Sequence, residues 1–319
     1  MSYGFAGHIG LAREANWGSG QVVTDYLEAL SEDFTLSIER FQHKAIIGTM
    51  GEPDDTPGLK RVEGNIRFAA QPQALGHFLK GTLHTASCTG IASGVLMLNE
   101  FFTTVGGNDF SSDVPLQPWT FEIHRDVTTS FRYTGVQMDS LTFNVENNAA
   151  LMCEARMIGR AAEVCSKTVP TFPSTPSKPF AFDTCSLSLG GAGTALIETM
   201  TIEINNNLEG LGAMNLSQYI AKVRRNDHQM VTLRATMDFA SAVEYYKFVS
   251  QTEQPMTLSW TKANSFQLVI SLPRVVYTAF PLGIPGKERI TVNMEGKAFV
   301  HTGSGHAIKV SLTTINSYF

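Results

Sequence analysis

Charge is the first thing this chain is short of. Asp, Glu, Lys and Arg make up only 17% of its 319 residues, against roughly a quarter in an average soluble domain. A surface so poor in charge suits a protein that covers much of its outside with neighbours. A basic excess is missing too: 24 Lys and Arg face 29 Asp and Glu, for a net charge of −5. A nucleic-acid grip needs a basic face to neutralise phosphates. This balance argues against a tight DNA or RNA grip, though not against contact with DNA that must not stick. Cysteine is scarce. Cys88, Cys153, Cys165 and Cys185 include no CxxC pair, and a chain this long buries a core without covalent staples, so reduced thiols in a cytosolic product are expected. Residues 1–17 lack the apolar run of a secretion signal. The longest apolar-leaning stretch, 91–105, is broken by Ser93, Asn99 and Glu100 and is too short and polar to cross a bilayer, so no membrane partner is expected.

Catalytic signatures are also absent. No GxSxG, GxxxxGK[ST], GxGxxG or HExxH occurs. Gly283-Ile-Pro-Gly-Lys287 lacks phosphate-loop spacing and reads as a turn, and so does Gly303-Ser-Gly305. The eight histidines are dispersed; His77 and His84 are separated by Gly81, which is predicted to end their helix. No catalytic, cofactor-binding or metal-ligating residue is expected, and no enzyme.

What the chain does contain is strand signal: Thr, Val, Ile and Phe alternating with polar residues, punctuated by Gly, Asn, Pro and Asp. Residues 166–180, SKTVPTFPSTPSKPF, carry four prolines and read as an extended linker that divides the chain nearly in half. The two halves share a pattern. Phe34-Thr-Leu-Ser-Ile-Glu39 matches Met200-Thr-Ile-Glu-Ile-Asn205. Long connections follow, 42–60 and 206–229. Val62-Glu-Gly-Asn-Ile-Arg-Phe68 then matches Leu233-Arg-Ala-Thr-Met-Asp-Phe239. A short helix comes next in each half, one with Pro72 at its start and the stripe Leu75, Phe78, Leu79. The other has Ser241 and Glu244 spaced as a capping box and the stripe Tyr245, Phe248, Val249. Leu141-Thr-Phe-Asn-Val-Glu146 resembles Ile290-Thr-Val-Asn-Met-Glu295. The expected fold is mainly β, with two tandem β-sandwich domains over 1–165 and 181–319, each with a short flanking helix and a long hairpin loop. The arm 1–30 is expected to order on assembly.

These segments resemble the tail tube proteins of long-tailed bacteriophages. VEGNIRFAAQPQALGHFLKGTL (62–83) resembles their strand-then-helix unit, and FRYTGVQMDSLTFNVENNAALMCEARMIGR (131–160) their hairpin and closing strand. FDTCSLSLGG (182–191) through MDFASAVEYYKFVS (237–250) is similar to a second such unit. The stretch 84–116 departs from the family pattern. The resemblance implies β-sandwich domains that sit side by side in rings, the rings stacking into a virion tail through which DNA passes without specific binding. A chain with two tube domains implies three copies per ring. Implied partners are further copies of the chain and the tape measure, tail terminator and tail-tip proteins, with synthesis in the host cytoplasm. A tail-tip ring or contractile secretion tube would share the fold. A carbohydrate-binding β-sandwich would need an exposed aromatic platform, and Trp17, Trp119 and Trp260 are far apart in sequence.

Alternation assigns faces within that frame. Phe34, Leu36 and Ile38 are expected to face the core, with Thr35, Ser37 and Glu39 opposite. Thr142, Asn144 and Glu146, then Thr201, Glu203 and Asn205, then Thr291, Asn293 and Glu295 form matching polar sets. They contain no Lys or Arg, so they are candidates to line a channel over which phosphates slide. About four strands per domain in a ring of six domains, spaced about 4.8 Å, would leave a channel of roughly 27–42 Å. Glu63 and Arg67 align with Arg234 and Asp238 with their signs exchanged, which predicts contacts that order domains around a ring. The acidic loop with Glu52, Asp54 and Asp55 and the basic loop with Lys222, Arg224 and Arg225 are predicted to meet between rings.

Overall fold

A computed structural model describes residues 3–42, 48, 50–51, 54–91, 96–103, 116–172, 178–190, 192–193, 197–262, 265–283, 287 and 289–318. The fold is mainly β. Among the described residues the first half holds β1 (His8–Arg13), β2 (Asp25–Leu27), β3 (Ala29–Glu32), β4 (Thr35–Gln42) and β5 (Asp55–Ala69), then helix α1 (Leu75–Thr82). It continues with β6 (Thr85–Gly90), β7 (Met97–Phe102), β8 (Trp119–His124), β9 (Thr129–Glu146), β10 (Met152–Gly159) and β11 (Ala161–Ser166). The second half holds β12 (Cys185–Leu189), β13 (Ala192–Gly193), β14 (Ile197–Asn205), β15 (Leu208–Leu211), β16 (Lys222–Arg225) and β17 (Met230–Asp238), then helix α2 (Val243–Val249). It ends with β18 (Gln254–Thr261), β19 (Gln267–Ala279), β20 (Thr291–Ala298) and β21 (Lys309–Thr314).

One long antiparallel sheet runs through both halves. Its order is β4 and β3, then β5, β10, β9, β14, β17, β20 and β19. Each half adds a sheet behind it: β2–β1–β8–β9–β11 in the first and β13–β12–β18–β19–β21 in the second. The long strands β9 and β19 serve two sheets each, crossing from the backing sheet to the long one. The pairing diagram of the first half thus recurs in the second, and a single apolar core fills the space between the layers in both. The alternation of β14, β17 and β20 follows directly, with one face buried and the other facing solvent.

Five sequence expectations change. First, the recurrence pairs β20 with β10 and β9 with β19, so the likeness of 141–146 to 290–295 joins strands that are not counterparts. Two polar/apolar alternations of equal length match wherever they lie. Second, residues of the supposed N-terminal arm are built in. All of β1 except Arg13 is buried in the backing sheet, and Glu14 accepts hydrogen bonds from the Thr120 hydroxyl (2.7 Å) and the Gly135 and Gly18 amides (2.8 and 2.6 Å). Third, Ile38 is 41% exposed, because β4 stands at the sheet's edge; Phe34 is buried as expected. Fourth, residues 55–60 are not loop but the start of β5, paired with β4. Fifth, α2 is preceded by Ala242 with no side-chain cap; Glu244 instead accepts from the Tyr277 hydroxyl (2.7 Å) and Lys247 (2.7 Å).

The departure at 84–116 contains a hairpin, β6–β7, whose β7 pairs in register with β21, Phe101 opposite Val310 and Asn99 opposite Leu312. The first half therefore lends two strands to the backing sheet of the second. The proline-rich stretch is tied at both ends: Thr168 donates its amide (2.9 Å) and hydroxyl (2.8 Å) to buried Glu122, and buried Phe180 bonds Ala70 and Leu151 through its backbone.

Candidate assembly surfaces

The solvent-facing side of the long sheet collects every polar set read from the sequence. One row crosses Lys297, Thr232, Glu203, Thr142, Glu154 and Arg67. A second crosses Glu295, Arg234, Thr201 and Asn144, a third Asn293, Thr236, Thr199 and Glu146. Asn205 stands beside Ser140, Thr291 opposite Asp238, and Thr35 and Ser37 opposite Glu63 and Arg61, with Glu39 within 3.4 Å of Arg61. Threonine and asparagine form a repeated ladder: the Thr201 and Thr236 hydroxyls donate to the Asn144 and Asn293 carbonyls, both at 3.0 Å.

The strands between these sets bring basic residues to the same face: Arg61, Arg67, Arg156, Arg234 and Lys297. The expectation of a lining without Lys or Arg is therefore corrected for the whole face. The cause is that each row draws its residues from adjacent strands, which are distant in the chain. Several of these cations are paired in place. Arg234 lies 3.2 Å from Glu295 and Arg61 2.7 Å from Glu63. Exposed pairs of this kind are worth about 0–1 kcal/mol each, but they hold positive charge against fixed negative charge. Glu63, Arg67, Arg234 and Asp238 sit on β5 and β17, each flanked by strands on both sides. They thus belong to this face rather than to a sheet edge, and Asp238 pairs with Arg289 at 3.7 Å.

The long connections pack against each other within one chain. The Lys60 amide donates to the Gln218 carbonyl (2.7 Å), and the Ile220 amide to the Lys60 carbonyl (3.2 Å). Beneath them Ile158, Ile220 and Val223 form a small core with Trp17, Leu59 and Leu208. Hydrophobic burial, invisible as charge, decides this contact. Glu52 lies outside the described residues; Asp54 is exposed and Asp55 pairs with Arg40 at 2.8 Å. Lys222 and Arg224 are exposed on β16, while half-buried Arg225 donates to Asn206 at 3.1 Å. The tips carry fully exposed Met50, Met214 and Leu216, Leu216 in the left-handed region at φ 61°.

The two halves join where β9 pairs with β14, from Thr199 opposite Glu146 to Asn205 opposite Ser140. Helix α1 is wedged behind this seam, and second-half residues that the sequence did not flag hold both its ends. Buried Asn206 donates to the Thr82 carbonyl at 3.0 Å. The Tyr318 hydroxyl donates to the Gln73 carbonyl at 2.5 Å, and its ring meets His77 edge to face, centroids 4.9 Å apart. A β-carbon on Gly76 would come within 2.2 Å of that ring, so only glycine admits the tyrosine. No local signal marks these residues, because their partners lie on distant segments.

His77 is packed among α1, Trp119 and Tyr318, with Asp25 at 3.9 Å. Burial outweighs Asp25 and lowers its pKa from 6.5 to about 4, with Arg13 adding to the fall. A histidine neutral in the fold but free to protonate when unfolded favours the unfolded chain as pH drops. Its contribution is complete above pH 6.5 and is lost progressively down to about pH 4. Equilibrium unfolding of the wild type should show this loss, on the order of 3 kcal/mol. His77→Gln should flatten that part of the profile.

Trp119 and Trp260 are fully buried and Trp17 lies beneath Arg160, so the tryptophans form no sugar-binding platform. Among the described residues no cluster of His, Cys, Asp or Glu could hold a metal ion. Burial pushes the Cys185 thiol up to about 11 and raises Cys153 further. A family model for the phage tail tube protein matches residues 4–298, and no curated protein matches the chain.

Proposed function

Because the chain belongs to the phage tail tube protein family, a structural, self-assembling component of the virion tail, we propose that each copy supplies two tandem tube domains and that three copies close a ring of sixfold pattern. The domains correspond to residues 1–165 and 181–319. Rings stack into the tube, and DNA is delivered along the solvent-facing side of the long sheet. The supporting observation is the seam between β9 and β14. It joins two recurring four-strand sets in one chain, and among the described residues β4 has no strand on its outer side. Open edges invite pairing with another chain. Repeating the seam between copies satisfies those edges and closes the sheet. The exposed tips around Met50, Met214 and Leu216 contact the next ring, and the tape measure, tail terminator and tail-tip proteins act at the lumen and the two ends.

Native mass measurement and averaged end-on images test this reading. Rings of three chains with sixfold pseudo-symmetry are expected; six chains per ring would overturn the stoichiometry. Isolated rings that never elongate would favour a tail-tip ring over a tube.

A further inference from the structure

We propose that the outward face of α2 is the seat for the edge strand β4 of a second copy of this chain. This rests on the ring reading above and deepens it by naming the contact. The two helices are counterparts, Leu75, Phe78 and Leu79 matching Tyr245, Phe248 and Val249, yet they are covered very differently. Gly76 and Leu79 of α1 are fully enclosed, closed in by Tyr318 at one end and Asn206 at the other. At the matching places on α2, Tyr246 is 67% and Val249 59% exposed, and Val243 stands beside them at 56%. An isolated exposed valine is ordinary; a stripe that the counterpart helix buries is not.

The opposite end of the long sheet shows the reciprocal gap. Thr35 opposes Glu63 as Thr201 opposes Arg234, which matches Leu36 and Ile38 to Ile202 and Ile204. Ile202 and Ile204 are fully buried, whereas Ile38 is 41% exposed and Leu36 only partly covered. Within the chain, β14 runs beside β9, and Asn206, two residues past Ile204, reaches the end of α1. The same placement between copies brings Ile38 of the incoming β4 to the Val249 end of α2. α2 is anchored to β19, at the far end of the sheet, through Glu244 and Tyr277. Two apolar deficits at opposite ends of one sheet, each filled in the other half, identify a second copy as the occupant.

Single variants Ile38→Glu, Val249→Lys and Tyr246→Arg alter exposed side chains and should keep the wild-type circular dichroism and melting curve. Each should reduce the polymerised fraction in sedimentation by about tenfold or more. The pair Ile38→Glu with Val249→Lys should recover most of it, because opposite charges then face each other. Variants that polymerise like the wild type, or a pair that restores nothing, would overturn this contact while leaving rings intact. A wild type that forms no rings would remove the ring reading itself, and this contact with it.

Discussion

Tubes built from a chain carrying Glu146→Lys, Glu203→Lys and Glu295→Lys are expected to hold duplex DNA that wild-type tubes release. Each exchange adds two positive charges, so the net charge of the chain moves from −5 to +1, and all the added charge falls on one face of the long sheet. Glu146 and Glu295 are exposed and Glu203 half-buried, so the fold itself should lose little. Glu295→Lys also frees Arg234 from its 3.2 Å partner, leaving two cations where a neutral pair stood. Repeated around a ring and along a stack, these positions place a ladder of cations beside any duplex in the channel. Retention should be strong at 50 mM salt and fall by about 10³-fold or more by 200 mM, as counterion release requires for several phosphate contacts. Filter binding of assembled tubes, with electron microscopy to show normal tubes, provides the measurement. Lysine tubes that hold no more DNA than wild type would mean that this face is not the channel wall.

Tyr318→Ala is expected to cost about 3–5 kcal/mol, the range for emptying a large aromatic from a core. The ring is 5% exposed, lies against His77 and Phe101 and fills the space left open by Gly76. Its hydroxyl bond to Gln73 is a smaller part: Tyr318→Phe should lose only about 0.5–1.5 kcal/mol. Urea denaturation separates the two variants. Hydrogen exchange should show α1 opening more readily in the alanine variant while the centre of β17 keeps its protection, because α1 would lose its cover from the second half. Equal protection of α1 in both variants would show that Tyr318 packs there without bracing the helix.

Much of this architecture is legible in sequence. The strands of the long sheet have one wet face, and their period-two alternation places Thr142, Asn144, Thr201, Glu203, Asn293 and Glu295 on its solvent-facing side. Both helices show through their i, i+3, i+4 stripes, and the prolines of 166–180 mark the passage between halves. The misses share one physical cause. Strands buried on both faces lose their alternation: His8–Arg13 and Trp119–His124 are almost wholly enclosed, so β1 passed for part of an arm. The pairing of β7 with β21, the seat of Tyr318 and the basic residues between the polar sets all depend on which distant segment lies alongside, information that no local window contains. The charge exchange between Glu63 and Arg234 was real as an alignment, but strand order decides whether such residues reach an edge.

The loan of β6–β7 to the second half sets an order on biosynthesis. Asn99 reaches Leu312, 213 residues later in the chain. At about 5–20 residues per second, the hairpin leaves the ribosome roughly 10–40 s before its partner strand is translated. Through that interval the first half cannot complete its own wedge, because Tyr318 does not yet exist and Asn206 is added only about halfway through. A nascent fragment that stops before Tyr318 therefore lacks the finished seat of α1 that Asn206 and Tyr318 provide.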